Sequence, residues 1–355
     1  MAHHHQQRRL LVPLQDYFKE SDLSVPAAEP GKRDCIALNT SVRYPLLAVV
    51  SSSISMECAQ TLSVCRLERR PSFRSSVSLP LPLCLTPHWD VPVPMESKCD
   101  ALAFFSTDGD GNGGSPLLLL TQPSSHSLMF MDADACSDLQ YVMGRGWFQG
   151  AITAMAARGN IIAVHSAKSG DCGKVVLLEL QSDGAWVHLR NIYMSSCGVL
   201  PFITTLSFSA DGRQLACNGL QYSGIKYRAC LMACTLDSGE FVRVLYSGLG
   251  TVRGTVLASL ASCPSGWLVF DEVLQQVGLV SYDHMGGAAH ASWLQVGEPF
   301  DCSSVVALVP GHGLILGSRS RLRIYQCSED VAMETMSPCR LAWVCTAVRV
   351  CLQRN

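Results

Sequence analysis

ITTLSFSADGRQLACNG, residues 203–219, is the stretch whose reading decides the fold. Leu206 and Phe208 alternate with Ser207 and Ser209, the period-two pattern of a strand with one face buried. Asp211-Gly212 then turns the chain, because glycine takes positive φ without the clash a Cβ would meet. Leu215-Ala216-Cys217 follows as a wholly apolar second strand. The next stretch, ACLMACTLDSGEFVRVL at 229–245, supplies two more strands with Ser238-Gly239 as their turn.

The same phrase recurs on both sides. TVLASLASCPSGWLVFDEVLQQVGLVSYD spans 255–283, turning at Pro264-Ser265-Gly266. VVALVPGHGLILGSRSRLRIYQ spans 305–326, turning at Pro310-Gly311 and Gly313. ITAMAARGNIIAVHS spans 152–166 and turns at Arg158-Gly159-Asn160, with KVVLLELQSDGAWVHLR as the following strand pair. DALAFFSTDGDGNGGSPLLLLTQPSSHSLMFMD covers 100–132, and CIALNTSVRYPLLAVVSSS at 35–53 with TLSVCRLER at 61–69 is the faintest copy. First strands start near Ile36, Ala101, Ala154, Leu206, Val256 and Val306, in steps of 65, 53, 52, 50 and 50 residues. A period near fifty with three or four strands per unit is that of a propeller blade, which buries its faces by stacking radially on its neighbours. The expectation is an all-β, six-bladed β-propeller over 35–327.

The long first step has a cause in Pro71, Pro80, Pro82, Pro87, Pro92 and Pro94. Proline cannot donate to a ladder, so 70–97 reads as an extended insertion between the first two blades. Residues 1–34 form an N-terminal extension in which Leu10–Leu14 is a candidate ring-closing strand. Residues 328–355 form a C-terminal extension. There Ser337-Pro338 suits a helix start, while the even positions Ala342 to Leu352 suit a strand.

These units resemble the NHL-repeat propellers. LSFSADGRQLACNG with FVRVLYSGLG, GWLVFDEVLQQVGLVSY, and ALVPGHGLILGSRSRLRIY each run apolar strand, glycine turn, apolar strand, then a basic residue. The resemblance covers 100–327 well and 35–69 poorly. Asn218 and Asp271 stand where such blades carry Asn or Asp, whereas the last blade has Gly317-Ser318-Arg319. A WD40-like or other propeller fits the same degenerate repeats. The resemblance implies a fold; function has to be argued from a site.

Composition excludes several classes. Apolar residues make up 48% and charged residues 16%, with a net charge of −2, so no basic track for nucleic acid stands out. Leu117–Leu120 and Leu341–Val348 fall far short of the ~20 residues a membrane helix needs. The opening MAHHHQQRRLLVPL lacks the apolar core of a secretory signal. Seventeen cysteines lie scattered in apolar runs with no CxxC pair, which reads as reduced core thiols of an intracellular, cytoplasmic protein.

Candidate chemistry is thin. In TDGDGNGG at 107–114, Asp108, Asp110, Asn112 and Gly113 occupy positions 1, 3, 5 and 6 of a calcium loop. Position 12 is Leu119 where a glutamate belongs, so the stretch reads as a hairpin loop, with Asp108, Asp110 and Asn112 only weak metal candidates. His88, His126, His165, His188, His284, His290 and His312 are spread over the blades, while the inner strands IALN, ALAFF, TAMAA, TTLSF, TVLAS and VVALV offer hydroxyls and apolar groups. His165 and Asp271 end second strands and read as hydrogen-bonded or surface residues. No GxSxG or phosphate loop occurs. SCG at 196–198 and SCP at 262–264 have no paired base, and Cys230 near Arg228 reads as a core thiol. SGLGTVRG at 247–254 and DHMGGAAH at 283–290 are candidate contact loops, since loops on a rigid scaffold carry function more often than strands, although turn geometry alone accounts for their glycines.

The sequence therefore points to a non-enzymatic scaffold that binds a protein or peptide through a loop face, with no cofactor, nucleic acid or membrane. The alternative is a propeller hydrolase or lyase with a divalent metal on the axis. A third reading, carbohydrate binding, needs an exposed platform among Trp89, Trp147, Trp186 and Trp267.

Overall fold

The computed structural model describes residues 12–13, 18–24, 31–38, 46–53, 60–69, 83–93, 99, 102–105, 116–122, 127–136, 138, 140–142, 146–168, 173–193, 199–200, 203–222, 227–237, 243–249, 255–259, 266–271, 273–281, 290–295, 305–309, 313–317 and 321–327. Every regular element among them is a strand, and no helix there is long and apolar enough to cross a membrane.

The chain opens with β1 (Val12–Pro13) and β2 (Phe18–Ser24). A first sheet follows from β3 (Gly31–Leu38), β4 (Leu46–Ser53), β5 (Gln60–Arg69) and β6 (Leu83–Val93). The second holds β7 (Leu102–Phe105), β8 (Leu117–Gln122), β9 (Ser127–Asp132) and β10 (Gln140–Val142). The third holds β11 (Ala151–Arg158), β12 (Ile161–Ala167), β13 (Lys174–Leu180) and β14 (Trp186–Tyr193). In the fourth, β15 (Val199–Leu200) and β16 (Leu206–Phe208) both pair with β17 (Gln214–Tyr222), followed by β18 (Tyr227–Thr235) and β19 (Arg243–Leu249). The fifth is β20 (Thr255–Ser259), β21 (Gly266–Asp271), β22 (Gln276–Ser281) and β23 (His290–Gln295), with β1 added outside β23. The sixth is β24 (Val305–Val309), β25 (Gly313–Gly317) and β26 (Arg321–Cys327), with β2 outside β26.

Within each sheet sequential strands pair antiparallel. Between sheets, the first strands touch in a closed cycle: β3 to β7, β7 to β11, β11 to β16, β16 to β20, β20 to β24, and β24 back to β3. Sheets arranged around one axis with first strands innermost make a β-propeller.

Burial follows from this stacking. In the third sheet the middle strands IIAVHSA and KVVLLEL are buried on both faces, because a neighbouring sheet lies against each side. That is why they read as continuous apolar runs. The outer strand WVHLRNIY exposes Val187, Leu189 and Tyr193. Apolar clusters fill the gaps between successive sheets. Leu62, Val64, Leu118 and Met129 join the first two sheets; Phe105, Phe148, Val164 and Leu178 join the second and third; Val175, Ile192, Phe208 and Met232 join the third and fourth. The predicted turns at Arg158-Gly159-Asn160 and Asp211-Gly212 form, with φ of 56° at Gly159 and 72° at Gly212. Five of the six expected starting residues lie inside first strands, and Ala101 falls one residue before β7.

Three expectations change. Residues 83–93, inside the proline-rich segment taken as an insertion, form the outermost strand of the first sheet. Pro87 and Pro92 are exposed there, and among the described residues no further strand pairs with the outer side. His88 sits at a register shift that opens between Val64 and Cys65. The strand completing the last sheet is Phe18–Ser24, not Leu10–Leu14; Val12–Pro13 instead pairs in parallel with Leu294 and Gln295 of the fifth sheet. The first sheet begins at Gly31, ahead of residue 35. The C-terminal extension 328–355, including 338–352, lies outside the described residues.

Six cysteines whose side chains are described are thiols outside any disulfide. Cys65, Cys99, Cys217, Cys230 and Cys234 are buried and Cys136 is half-buried. Burial, with Asp90 adding to it, pushes the Cys65 thiol from its ordinary 9.0 up to about 11. A thiol whose folded pKa is raised holds its proton longer in the native state. Its contribution to stability is therefore full below pH 9 and is lost as pH climbs towards 11. Urea melts from pH 8 to 11 should show stability falling less in Cys65→Ala than in the wild type, by up to about 2 kcal/mol over that window.

Gly150 gives a second test. A Cβ there would overlap the backbone carbonyl of Ala167, which has no flexible tip to move aside. Gly150→Ala should cost about 3 kcal/mol or more in urea denaturation. Gly159→Ala, at positive φ but with open space around it, should cost only about 1–2 kcal/mol.

Candidate functional site

Strands alternate in direction, so the ends of the second strands, the turns into the third strands and the linkers to the next sheet share one face of the disc. Polar groups gather on this face. Ser51, Thr121, Ser166 and Asp271 lie at or near the ends of the second strands of their sheets, Asn218 lies midway along β17, and all five are buried.

Asn218 and Ser166 bond mainly to backbone. Asn218 Oδ1 accepts from the Thr204 and Thr205 amides at 2.9 and 3.2 Å, and its Nδ2 donates to Thr204 Oγ1 at 2.7 Å. Ser166 Oγ accepts from the Gln149 and Gly150 amides at 3.1 and 3.0 Å and donates to the Gly150 carbonyl at 3.1 Å. Both side chains hold the linker that enters their own sheet. Gln60 reaches across to the linker of the second sheet, accepting from the Cys99 amide at 2.6 Å and donating to its carbonyl at 3.3 Å.

His165 is buried at the same level. Its Nδ1 lies 2.6 Å from Thr153 Oγ1, which is itself 2.8 Å from the Ile203 carbonyl. The carbonyl can only accept, so the hydroxyl donates to it and takes the Nδ1–H from the ring. The imidazole thus orients a hydroxyl that ties the third sheet to the approach of the fourth. A hydroxyl beside an imidazole has the outline of an activated nucleophile. Here, however, the neighbouring amides of Gln149, Gly150, Thr204 and Thr205 already donate to Ser166 and Asn218, and so are not aimed at a developing oxyanion.

Asp271 does something different. Its Oδ1 accepts from the Val273 and Leu274 amides, both at 3.1 Å, and Gln275 takes a φ of 50°. The carboxylate is 1% exposed, yet the turn it caps presents Val273 at 57% and Leu274 at 36% exposure.

On the opposite face a charged clasp joins the first two sheets. Arg66 pairs with Asp134 at 2.8 Å, His88 Nε2 donates to the Asp134 carbonyl at 3.0 Å, and Trp89 Nε1 donates to the Ala133 carbonyl at 2.8 Å. Asp132 caps the turn by accepting from the Asp134 and Ala135 amides.

The tryptophans pack inward. Trp267 is fully buried and donates to the Ser207 carbonyl across sheets. Trp186 lies against Phe105 and Phe130, and Trp147 stacks on His188, which bonds Asn191. None of the four is among the exposed large apolar side chains of the described residues. Asp108, Asp110 and Asn112 lie outside the described residues, as do His126, His284, His312 and most of both glycine-rich loops. Among the described residues no group of three or more His, Cys, Asp or Glu converges as a metal site would.

Sequence reading singled out His165, Asn218 and Asp271 but placed His165 and Asp271 equally well at the surface; both are buried. It missed Ser166, Thr153 and Gln60. Ser166 had a visible signal, a polar residue closing a second strand that opens with the apolar run Ile161–Val164. Gln60 had none, since its partner is 39 residues away.

No family model matches the chain, and no curated protein matches it in sequence. Among solved structures, hydrazine synthase of Kuenenia stuttgartiensis is similar with a TM-score of 0.50 at 10% identity, over 85% of this chain and 97% of that one. A catalytically inactive virginiamycin B lyase from Staphylococcus aureus, with quinupristin, gives a TM-score of 0.47 at 8% identity, over 87% of this chain and 100% of that one. At 10% identity the likeness to the first is one of fold alone, and the fold is the β-propeller.

Proposed function

We propose that the protein is a non-enzymatic interaction scaffold that binds a protein or peptide through the loop face on which the second strands end. The observation that carries this reading is the β21–β22 turn. Val273 and Leu274 project into solvent from a backbone fixed by a buried carboxylate. An apolar pair held rigidly in this way loses little conformational entropy on binding, which is the character of an interface anchor. The buried polar side chains of the same face fit the reading too, because their hydrogen bonds hold the linkers that give the face its shape.

The alternative of an axial divalent metal in a hydrolase or lyase requires several oxygen or nitrogen ligands converging at the channel mouth.

The test is a crosslinking pull-down with the full chain and the double variant V273D/L274D. The reading predicts that specific partners are lost from the variant while the melting temperature moves by no more than about 2 °C. A rim variant, V187D/L189D, should retain them. Partners that persist in V273D/L274D would overturn the assignment of the face. Stoichiometric divalent metal in the purified protein, with a melt that chelator lowers, would instead favour the metal enzyme.

A further inference from the structure

The outer strand of the sixth sheet comes from the opposite end of the chain. Phe18–Ser24, FKESDLS, pairs antiparallel with Arg321–Cys327, RLRIYQC, and so joins the two ends of the cycle. By composition FKESDLS is a poor strand, with four polar or charged residues in succession at Lys19-Glu20-Ser21-Asp22. Strands of that kind specify their register weakly, and a slip of one residue would turn every side chain to the other face. Something other than apolar alternation has to fix this pairing.

Arg323 supplies it. It is 1% exposed and among the largest fully buried side chains of the described residues. An arginine is almost never buried so completely unless it is paired. The register places Asp22 directly opposite Arg323, with Ser21 opposite Ile324 and Leu23 opposite Leu322. Directly opposed residues of an antiparallel ladder have Cβ atoms about 5 Å apart, within reach of an ion pair. On its other side Arg323 faces Leu316 of β25, and β2 also touches β6 of the first sheet. The latch strand therefore bridges the sixth and first sheets as well as pairing with β26.

We propose that the N-terminal strand is a charge-keyed latch, in which Asp22 opposite the buried Arg323 fixes the register that closes the ring. Fixing register is the best-attested use of a buried ionic group. A slip by one residue in either direction sets Ser21 or Leu23 against the buried guanidinium and leaves its charge uncompensated. The correct closure is thereby selected over its neighbours even though the strand itself is polar.

Hydrogen exchange on the full chain tests this, read by mass spectrometry over Arg321–Cys327 and, as internal reference, Val175–Leu178 of the third sheet. Asp22→Asn should speed exchange in the β26 segment by roughly a hundredfold or more, since it leaves a buried charge unpaired. Asp22→Glu and Ser21→Ala should stay near the wild-type rate. The deciding variant is D22N/R323M. Removing the buried charge should restore slow exchange, and it should do so even if D22N alone destabilises the whole chain and the reference segment with it. Unchanged exchange in D22N, or a double variant that exchanges as fast as D22N, would overturn the proposal.

Discussion

The structure depends on one constraint: a sheet whose middle strands are apolar on both faces cannot stand alone. IIAVHSA and KVVLLEL in the third sheet, and GWLVFD in the fifth, bury both sides. Each sheet therefore needs a neighbour on either side, and a closed cycle is the arrangement that leaves none uncovered. That solution creates a second problem. The chain must pass from the rim of one sheet to the axis of the next, carrying backbone amides through partly buried ground. Ser166, Asn218 and Gln60 answer it by binding those linkers with side-chain oxygens and amides, and Thr153, oriented by His165, adds a carbonyl contact between sheets. Buried polar residues that would elsewhere suggest an active site are here part of how the sheets are joined.

This division of labour shapes the functional reading. Ser166 and Asn218 face inward to linker backbone, so the groups that suit a partner are those the turns push outward. The Asp271 turn is the clearest instance, because one carboxylate both caps the backbone and sets two apolar side chains into solvent. On the other face the Arg66–Asp134 pair is partly exposed and contributes modestly by itself. With His88 and Trp89 bonded to the same turn, it orients the first two sheets relative to each other.

Much of the architecture was legible in the sequence because it is written in local pattern. The recurrence near fifty residues, the glycine turns at Gly159 and Gly212, and the double-faced apolar strands all follow from neighbours along the chain. What was not legible depends on position within a sheet or on distant pairing. Proline counts against a central strand, yet Pro87 and Pro92 are acceptable on an outermost one, and nothing in 70–97 says which it is. Phe18–Ser24 is too polar to read as a strand until Arg321–Cys327 is set beside it. At the candidate face, Asn218 and Asp271 stood out by their place after apolar strands. Whether each turned inward to a linker or capped its own turn could be read only from the folded backbone.

The central claim, that the second-strand polar residues serve the linkers rather than chemistry, is tested most directly at Thr204 and Thr205. Thr204 is exposed as a residue and lies outside any strand, so its amide would exchange quickly if Asn218 did not hold it. Amide exchange followed by NMR should show both amides protected in the wild type to the degree of neighbouring ladder amides, and freed in Asn218→Ala. Rapid exchange of both in the wild-type protein would contradict the account and return Asn218 to the list of residues available for a ligand.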